Sequence, residues 1–240
     1  MIVVIPARWS STRFPGKPLA DIAGKPMIQR VYENMANVHG CRLVCVATDD
    51  ERIYECVRGF GGRAMMTSRE HSCGTDRVEE CVRSLTVTSD EVVVNVQGDE
   101  PLLPAVAVEM LVSVFDDHNV RMGSLMRPLA DVECNDLNVV KVVTDSDSNA
   151  LYFSRLPIPC SRDGGEAQRW AHVGVYAYRT EALTEFVNMP KGQLERLESL
   201  EQLRALEHGM GIRMVRTNYR GFGIDTPGQL SEAVKMIGVK

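Results

Sequence analysis

The feature that most constrains the fold is an alternation along the first half of the chain. Three short apolar runs rich in β-branched residues, Ile2 to Ile5, Leu43 to Val46 and Val92 to Val96, are separated by stretches of helical period. Runs that are apolar on both faces belong to strands buried on both sides, and the intervening helical segments supply crossovers, so the pattern predicts an α/β fold built on parallel strands. Pro26 suits a first helical position, after which Met27, Ile28, Val31, Tyr32 and Met35 mark one apolar face. A second helix is expected after Thr75, with Val78, Cys81, Val82 and Leu85 packed inward as ordinary core.

The second half is patterned differently. Val139 to Val143, Leu151 to Phe153 and Val173 to Tyr178 are expected strands separated by Pro-, Ser- and Gly-rich turns, which predicts a smaller mixed lobe. No long linker or low-complexity stretch divides the halves, so both lobes are expected to share one sheet and one domain over 1–240. Within it, 1–130 and 131–215 are expected to form the two lobes, with a return strand and C-terminal helix in 216–240. Leu194, Leu197, Leu200, Leu203 and Leu206 recur every third residue. On one helix that stripe slips by roughly 60° per step and spirals around the girth. Such a helix is either deeply buried or shared with another subunit, and a homodimer is the expectation.

Composition narrows the function classes. A formal net charge of −5 makes nucleic acid an improbable partner, and an anionic substrate would need local cations or a metal ion to offset the global sign. The seven cysteines contain no CxxC pair and no regular framework, so they suggest neither a zinc site nor a disulfide scaffold, and reduced thiols in a cytoplasm fit best. No apolar stretch approaches the roughly 20 residues that span a bilayer, so no membrane partner is expected.

The first strand runs into Pro6-Ala7-Arg8-Trp9-Ser10-Ser11-Thr12-Arg13-Phe14-Pro15-Gly16-Lys17-Pro18, a loop with three cations and no acid. Backbone N–H groups after a strand can cradle anionic oxygens, while arginine forks onto phosphate and lysine supplies a point charge. Lys17 is followed by proline, so this is not the GxxxxGK[ST] loop of P-loop ATPases.

Pro-Ala-Arg after the first strand, with Arg13 to Leu19 behind it, resembles the signature of sugar nucleotidyltransferases, specifically the 3-deoxy-manno-octulosonate cytidylyltransferase (CMP-KDO synthetase) family. The resemblance continues in order through Gly24 to Ile28, Ala47 to Asp50, Ser72 to Arg77, Asn95 to Pro101, Val140 to Val143, Ala150 to Arg155, His172 to Tyr176, Glu198 to Arg204 and Gly223 to Pro227. Trp9 and Phe14 stand where the family usually carries tyrosine and leucine. The implied fold is the nucleotide-diphospho-sugar transferase type, Rossmann-like, with a mixed, mostly parallel central sheet flanked by helices. The implied reaction transfers CMP from CTP to the anomeric hydroxyl of 3-deoxy-D-manno-octulosonate (KDO), releasing pyrophosphate, for lipopolysaccharide biosynthesis.

Asp99 follows a fully apolar strand and should emerge at a carboxyl end, where open α/β sheets bind ligands, while Asp225 comes from a distant segment. A bare carboxylate 4 Å from a phosphate charge is repelled by about 4 kcal/mol at an effective dielectric near 20, so both beside a triphosphate require intervening cations. The resemblance makes Asp99 and Asp225 the ligands of Mg2+; alone, Asp225 would pass for a turn or capping acid before Thr226-Pro227. It also implies a catalytic set of Arg8, Lys17, Asp99 and Asp225. Nucleotide contacts are implied at Ala7, Arg8, Ser11, Arg13, Lys17, Ser72, Gly74, Thr75, Arg77, Gln97 and Gly98. Arg77 could alternatively pair with Glu79 or Glu80 on a helix surface. For KDO the resemblance nominates Arg155, His172, Tyr176, Glu201 and Gln202, with Arg155 leading for the sugar carboxylate. Rival readings are a cytidylyltransferase for 8-amino-KDO or sialic acid, and a catalytically silent nucleotide-sugar sensor, which would be expected to lose one member of the charged set.

Overall fold

The computed structural model describes residues 1–10, 14–163 and 168–238. In chain order its elements are β1 (Ile2–Ala7), the two-residue strands β2 (Asp21–Ile22) and β3 (Lys25–Pro26), α1 (Met27–Ala36), β4 (Leu43–Thr48), α2 (Glu51–Gly59), β5 (Ala64–Met66), α3 (Gly74–Arg83) and β6 (Val92–Asn95). There follow α4 (Ala105–Ser113), β7 (Met122–Pro128), β8 (Lys141–Thr144), β9 (Ala150–Ser154), β10 (Trp170–Arg179), α5 (Thr180–Asn188), α6 (Gln193–Glu198), α7 (Leu203–Glu207), β11 (Ile212–Arg216) and α8 (Pro227–Gly238).

Nine strands form one sheet with a main path β11-β7-β10-β6-β1-β4-β5, and β8 and β9 extend it beside β10. The pairs β1–β4, β1–β6, β4–β5 and β7–β11 are parallel, whereas β10 runs antiparallel to β6, β7 and β8. The alternating apolar runs therefore become the parallel half, and the turn-rich second half becomes a mixed half of the same sheet, organised around the antiparallel β10. In β1, Ile2 and Val4 enter one apolar cluster while Val3 and Ile5 enter another, so successive residues feed the cores on opposite faces. This two-sided burial is why the run carries no polar alternation.

A third, smaller cluster fixes the site. Ile22 and Met27 from the segment after the cationic loop pack with Ile224 and Ala233, and Phe14, Phe222, Leu230 and Ile237 close around them. The C-terminal helix α8 thus docks on the β2–β3 hairpin and carries the segment holding Asp225 to the loop holding Lys17.

Two local expectations change. Pro26 is the residue preceding α1, with φ −53° and ψ 144°, and not the first helical residue. Its preset φ still suits the helix entrance, but its ψ is extended because it also pairs with Asp21 in the hairpin. The leucine stripe does not form one helix. The chain breaks at Ser199, whose φ is 52°, and α6 and α7 fold back on each other. The Arg204 guanidinium donates to both oxygens of Glu195, at 2.8 and 2.7 Å, across that break. Rephasing at the break lets Leu200 and Leu203 enter the core while Leu197 stays 73% exposed.

Candidate active site

β1 and β6 are parallel, and the segments leaving their carboxyl ends bound a cleft of about 380 Å³. Its walls come from the Pro6-Ala7-Arg8 exit of β1, the Gln97-Gly98-Asp99 turn after β6, the Ser72-Cys73-Gly74 approach to α3, and Lys17 and Asp225. Gly98 lets the turn come close, since a Cβ there would stand 3.1 Å from the Pro6 carbonyl oxygen. Gly16, with φ +72°, places its Cα against the Trp9 ring, where a Cβ would come within 2.8 Å of ring carbon. That approach, with Gly16 N–H donating to the Trp9 carbonyl at 3.1 Å, folds the loop back and turns Lys17 inward. Arg52 covers the ring's other neighbourhood, its guanidinium carbon 3.4 Å from the ring centroid.

Lys17 Nζ donates to Asp99 Oδ2 at 2.5 Å and to Asp225 Oδ1 at 2.9 Å. Residues separated by most of the chain length therefore meet around one ammonium group. Burial alone would pull that ammonium down, but Asp99 and then Asp225 outweigh it and hold it above its usual value. Arg8 is exposed beside this group. The first turn of α3 opens into the cleft, so its positive dipole end favours an anionic ligand.

Among the residues expected to hold nucleotide, Ala7, Arg8, Lys17, Ser72, Gly74, Arg77, Gln97 and Gly98 line the cleft. Thr75 lies one position further, buried beneath it, and accepts from the Asn95 amide at 3.5 Å. Ser11 and Arg13 fall outside the described residues. Arg77 is buried at 3% exposure and pairs with neither Glu79 nor Glu80; it donates to Asp49 Oδ2 at 2.8 Å, to Thr67 Oγ1 and to the Ser68 carbonyl. The helix turns this side chain inward to the carboxyl end of β4, so only its edge reaches the cleft.

The sugar candidates divide. His172 Nε2 meets Ser124 Oγ at 2.8 Å, and that hydroxyl donates its one proton to the Val175 carbonyl, also at 2.8 Å. Nε2 must therefore be the donor, which leaves Nδ1 to accept from Gln202 at 3.5 Å. This neutral tautomer agrees with burial, which pushes His172 down to about 3. Tyr176 stacks beside it with ring centroids 5.4 Å apart. Glu201 accepts from the Cys73 thiol at 3.3 Å, and Cys73 lines the cleft, so the second-lobe cluster abuts it. Burial, and then Glu201, pushes that thiol up to about 12. Arg155 does not join them as a free fork. It donates to the carbonyls of Glu198 at 2.7 Å, Leu137 at 2.9 Å and Ser199 at 3.2 Å, supplying donors to the helix break, so it is not presented for a sugar carboxylate.

Sequence reasoning gave no role to His71 and Glu100. His71 lines the cleft with its Nε2 on Glu80. Glu100, next to Asp99, accepts from the Tyr219 hydroxyl and from the Phe222 N–H at 3.2 Å; burial pushes it up to about 7. The acidic pair in Gln97 to Pro101 was visible, but nothing in the sequence placed Tyr219 opposite it.

Asp99 and Asp225 are a hard-oxygen pair already converging on one positive charge, which suits Mg2+. Among the described residues no group of three or more His, Cys, Asp or Glu side chains surrounds a metal point. A two-carboxylate set fits an ion that takes its other ligands from phosphates and water.

The sheet topology and this cation-lined cleft define an α/β protein built to hold an anionic nucleotide tail at strand carboxyl ends. A family described as Cytidylyltransferase matches residues 2–212. A 3-deoxy-manno-octulosonate cytidylyltransferase of Anaeromyxobacter dehalogenans is 52% identical over 232 residues, covering 96% of this chain and 95% of that protein. An 8-amino-3,8-dideoxy-manno-octulosonate cytidylyltransferase of Shewanella piezotolerans is 46% identical over 228 residues, 94% of this chain and 93% of that one. A solved structure of a CMP:2-keto-3-deoxy-manno-octonic acid synthetase complexed with CTP superposes with a TM-score of 0.95 at 42% identity, covering 99% of this chain and 98% of that one. The chain belongs to the cytidylyltransferase family.

Proposed function

We propose that the protein transfers CMP from CTP to the anomeric hydroxyl of KDO, releasing pyrophosphate. The observation that carries this reading is the meeting of Lys17, Asp99 and Asp225 at one end of a nucleotide-sized cleft, in a fold shared with a CTP-bound synthetase at 42% identity. The hydroxyl oxygen attacks the α-phosphorus, the bond from that phosphorus to the bridging oxygen breaks so that pyrophosphate leaves, and the hydroxyl proton passes to water. Lys17 and Arg8 hold the triphosphate, and the opening turn of α3 with Gln97 receives the nucleoside side. His172, Tyr176, Gln202 and Glu201 form the sugar side, where a neutral imidazole and neutral hydroxyl and amide groups match a polyol. Cys73 and Glu201 mark the boundary between the two halves. Bound at Asp99 and Asp225, Mg2+ would neutralise phosphate charge and polarise the α-phosphoryl group.

A homodimer belongs to the same proposal. β9 is a sheet edge bearing Leu151 at 61% exposure, and Leu156, Leu137 and Leu197 are exposed on the segments that Arg155 ties together. No helix among the described residues is long and apolar enough to cross a membrane, in keeping with a cytoplasmic enzyme serving lipopolysaccharide synthesis. Incubating the purified protein with CTP, Mg2+ and a panel of KDO, 8-amino-KDO and sialic acid, and measuring pyrophosphate, tests the reading. KDO-dependent release lost in Asp99→Asn supports it; no release with any acid, or full turnover in Asp99→Asn, ends it. Light scattering at working concentration checks the dimer, and a monomeric mass would remove it.

A further inference from the structure

The carboxylates Asp99 and Asp225 both sit on irregular segments, outside any helix or strand. Asp99 sits on the turn after β6, and Asp225 on the irregular stretch between β11 and α8. Lys17 bridges them, but a flexible lysine does not fix a backbone. Glu100 does something more. Its Oε2 accepts both the Tyr219 hydroxyl and the Phe222 N–H, the latter at 3.2 Å. The same Phe222 N–H lies 3.1 Å from the Tyr219 oxygen, closing a three-membered knot. One residue earlier in the turn, the Asp99 carbonyl accepts from Ile224 N–H at 2.9 Å. A Cβ on Gly223 would stand 3.5 Å from Glu100 Oε1, an ordinary van der Waals distance, so this backbone runs beside the carboxylate. Ile224 itself is fully buried in the cluster that anchors α8.

From this geometry we infer that Glu100 and Tyr219 form a latch that holds segment 219–226 on the Asp99 turn and thereby sets the spacing of Asp99 and Asp225 around their shared cation. Both are positioning residues; neither touches Lys17 or lines the cleft. The inference rests on the proposed role of the two aspartates in nucleotidyl transfer, and it goes beyond that role in naming what aligns them. Both hydrogen bonds fall on one oxygen of Glu100, so the latch needs an acceptor at that position and not a negative charge. A glutamine, with one carbonyl oxygen, can keep both bonds, whereas a metal ligand or a proton-transfer group could not survive that exchange.

The test compares Glu100→Gln, Glu100→Ala and Tyr219→Phe in the full-length protein. Hydrogen–deuterium exchange of the peptide spanning 217–226 reads the latch without reference to catalysis. Exchange there should quicken on the order of tenfold or more in Glu100→Ala and Tyr219→Phe, as expected for losing hydrogen bonds to a buried carboxylate, and stay near the parent rate in Glu100→Gln. Mn2+ affinity in the presence of CTP, read by electron paramagnetic resonance, should fall on the order of tenfold in the first two and hold in the third. Turnover should follow the Mn2+ affinity, falling in kcat while KM for CTP changes little. Unchanged exchange in Glu100→Ala and Tyr219→Phe would overturn the latch. So would a Glu100→Gln protein as damaged as Glu100→Ala, because that result assigns the residue a charge-dependent role. A parent protein that releases no pyrophosphate would defeat the functional reading alone, leaving the exchange result to judge the latch.

Discussion

Replacing Lys17 with methionine keeps an apolar stem of similar size and removes the ammonium, which leaves Asp99 and Asp225 facing each other. The two acceptor oxygens lie no more than about 5.4 Å apart, the two Lys17 contacts laid end to end, and unit charges at that distance repel by about 3 kcal/mol at an effective dielectric near 20. The three side chains are 15%, 26% and 34% exposed, so water screens part of this, and a net loss of roughly 1 to 2 kcal/mol is the working figure. At about 2 to 4 °C per kcal/mol for a domain of this size, Lys17→Met should melt about 2 to 8 °C below the parent by differential scanning calorimetry. The instability comes from a confronted pair, so Lys17→Met/Asp225→Asn should recover most of the deficit. Added Mg2+ should raise the melting temperature of Lys17→Met more than that of the parent, since the variant offers two carboxylates that no longer share the Lys17 ammonium. CTP-dependent pyrophosphate release should be lost in the single variant whatever the temperature. A Lys17→Met protein melting within a degree of the parent, or a double variant no more stable than the single one, would refute the electrostatic account.

Three further outcomes follow from groups already described. His172 is neutral in the fold, with its value depressed to about 3 against about 6.5 in an unfolded chain, so its contribution is complete above pH 6.5 and drains away as pH falls toward 3. Urea midpoints taken from pH 7 to pH 5 should show the parent losing up to about 1.4 kcal/mol per pH unit more than His172→Gln, and parallel pH profiles would contradict this. Arg77→Met strands Asp49 and Thr67 at the carboxyl end of β4 and should destabilise by about 2 to 4 kcal/mol, at the lower side of the range for a broken buried pair because Asp49 is 18% exposed; a change under 1 kcal/mol in chemical denaturation would count against it. Gly98→Ala drives a methyl group toward the Pro6 carbonyl and should cost about 1 to 3 kcal/mol while weakening CTP binding by calorimetry, and unaltered binding would show that the turn has slack.

Much of this architecture was legible in the sequence because burial leaves a periodic trace. A strand such as β1 must be apolar on every residue when both faces are covered, and Ile2 to Ile5 announces that directly. The leucines of 194–206 were misleading for the converse reason. A repeat of three is compatible with a spiral on one helix or with two short helices rephased by one left-handed residue, and only the conformation of Ser199 separates them. In the site, the cations and acids could be named from their flanking motifs, and the cleft brings Arg8, Lys17, Asp99 and Asp225 together. Arg155 shows the limit: a motif carries the residue, but not the three backbone carbonyls that occupy its guanidinium. Tyr219 and Glu100 were illegible because their contact spans 119 positions and has no local pattern.

Asp225 lies beyond the last strand of the sheet, yet completes a cluster begun by Lys17, 208 positions earlier. During synthesis every strand has therefore emerged before the second carboxylate can arrive. A chain folded only as far as β11 holds the strands of the sheet and one member of the acidic pair, and the docking of α8 onto the early hairpin is the event that joins the two.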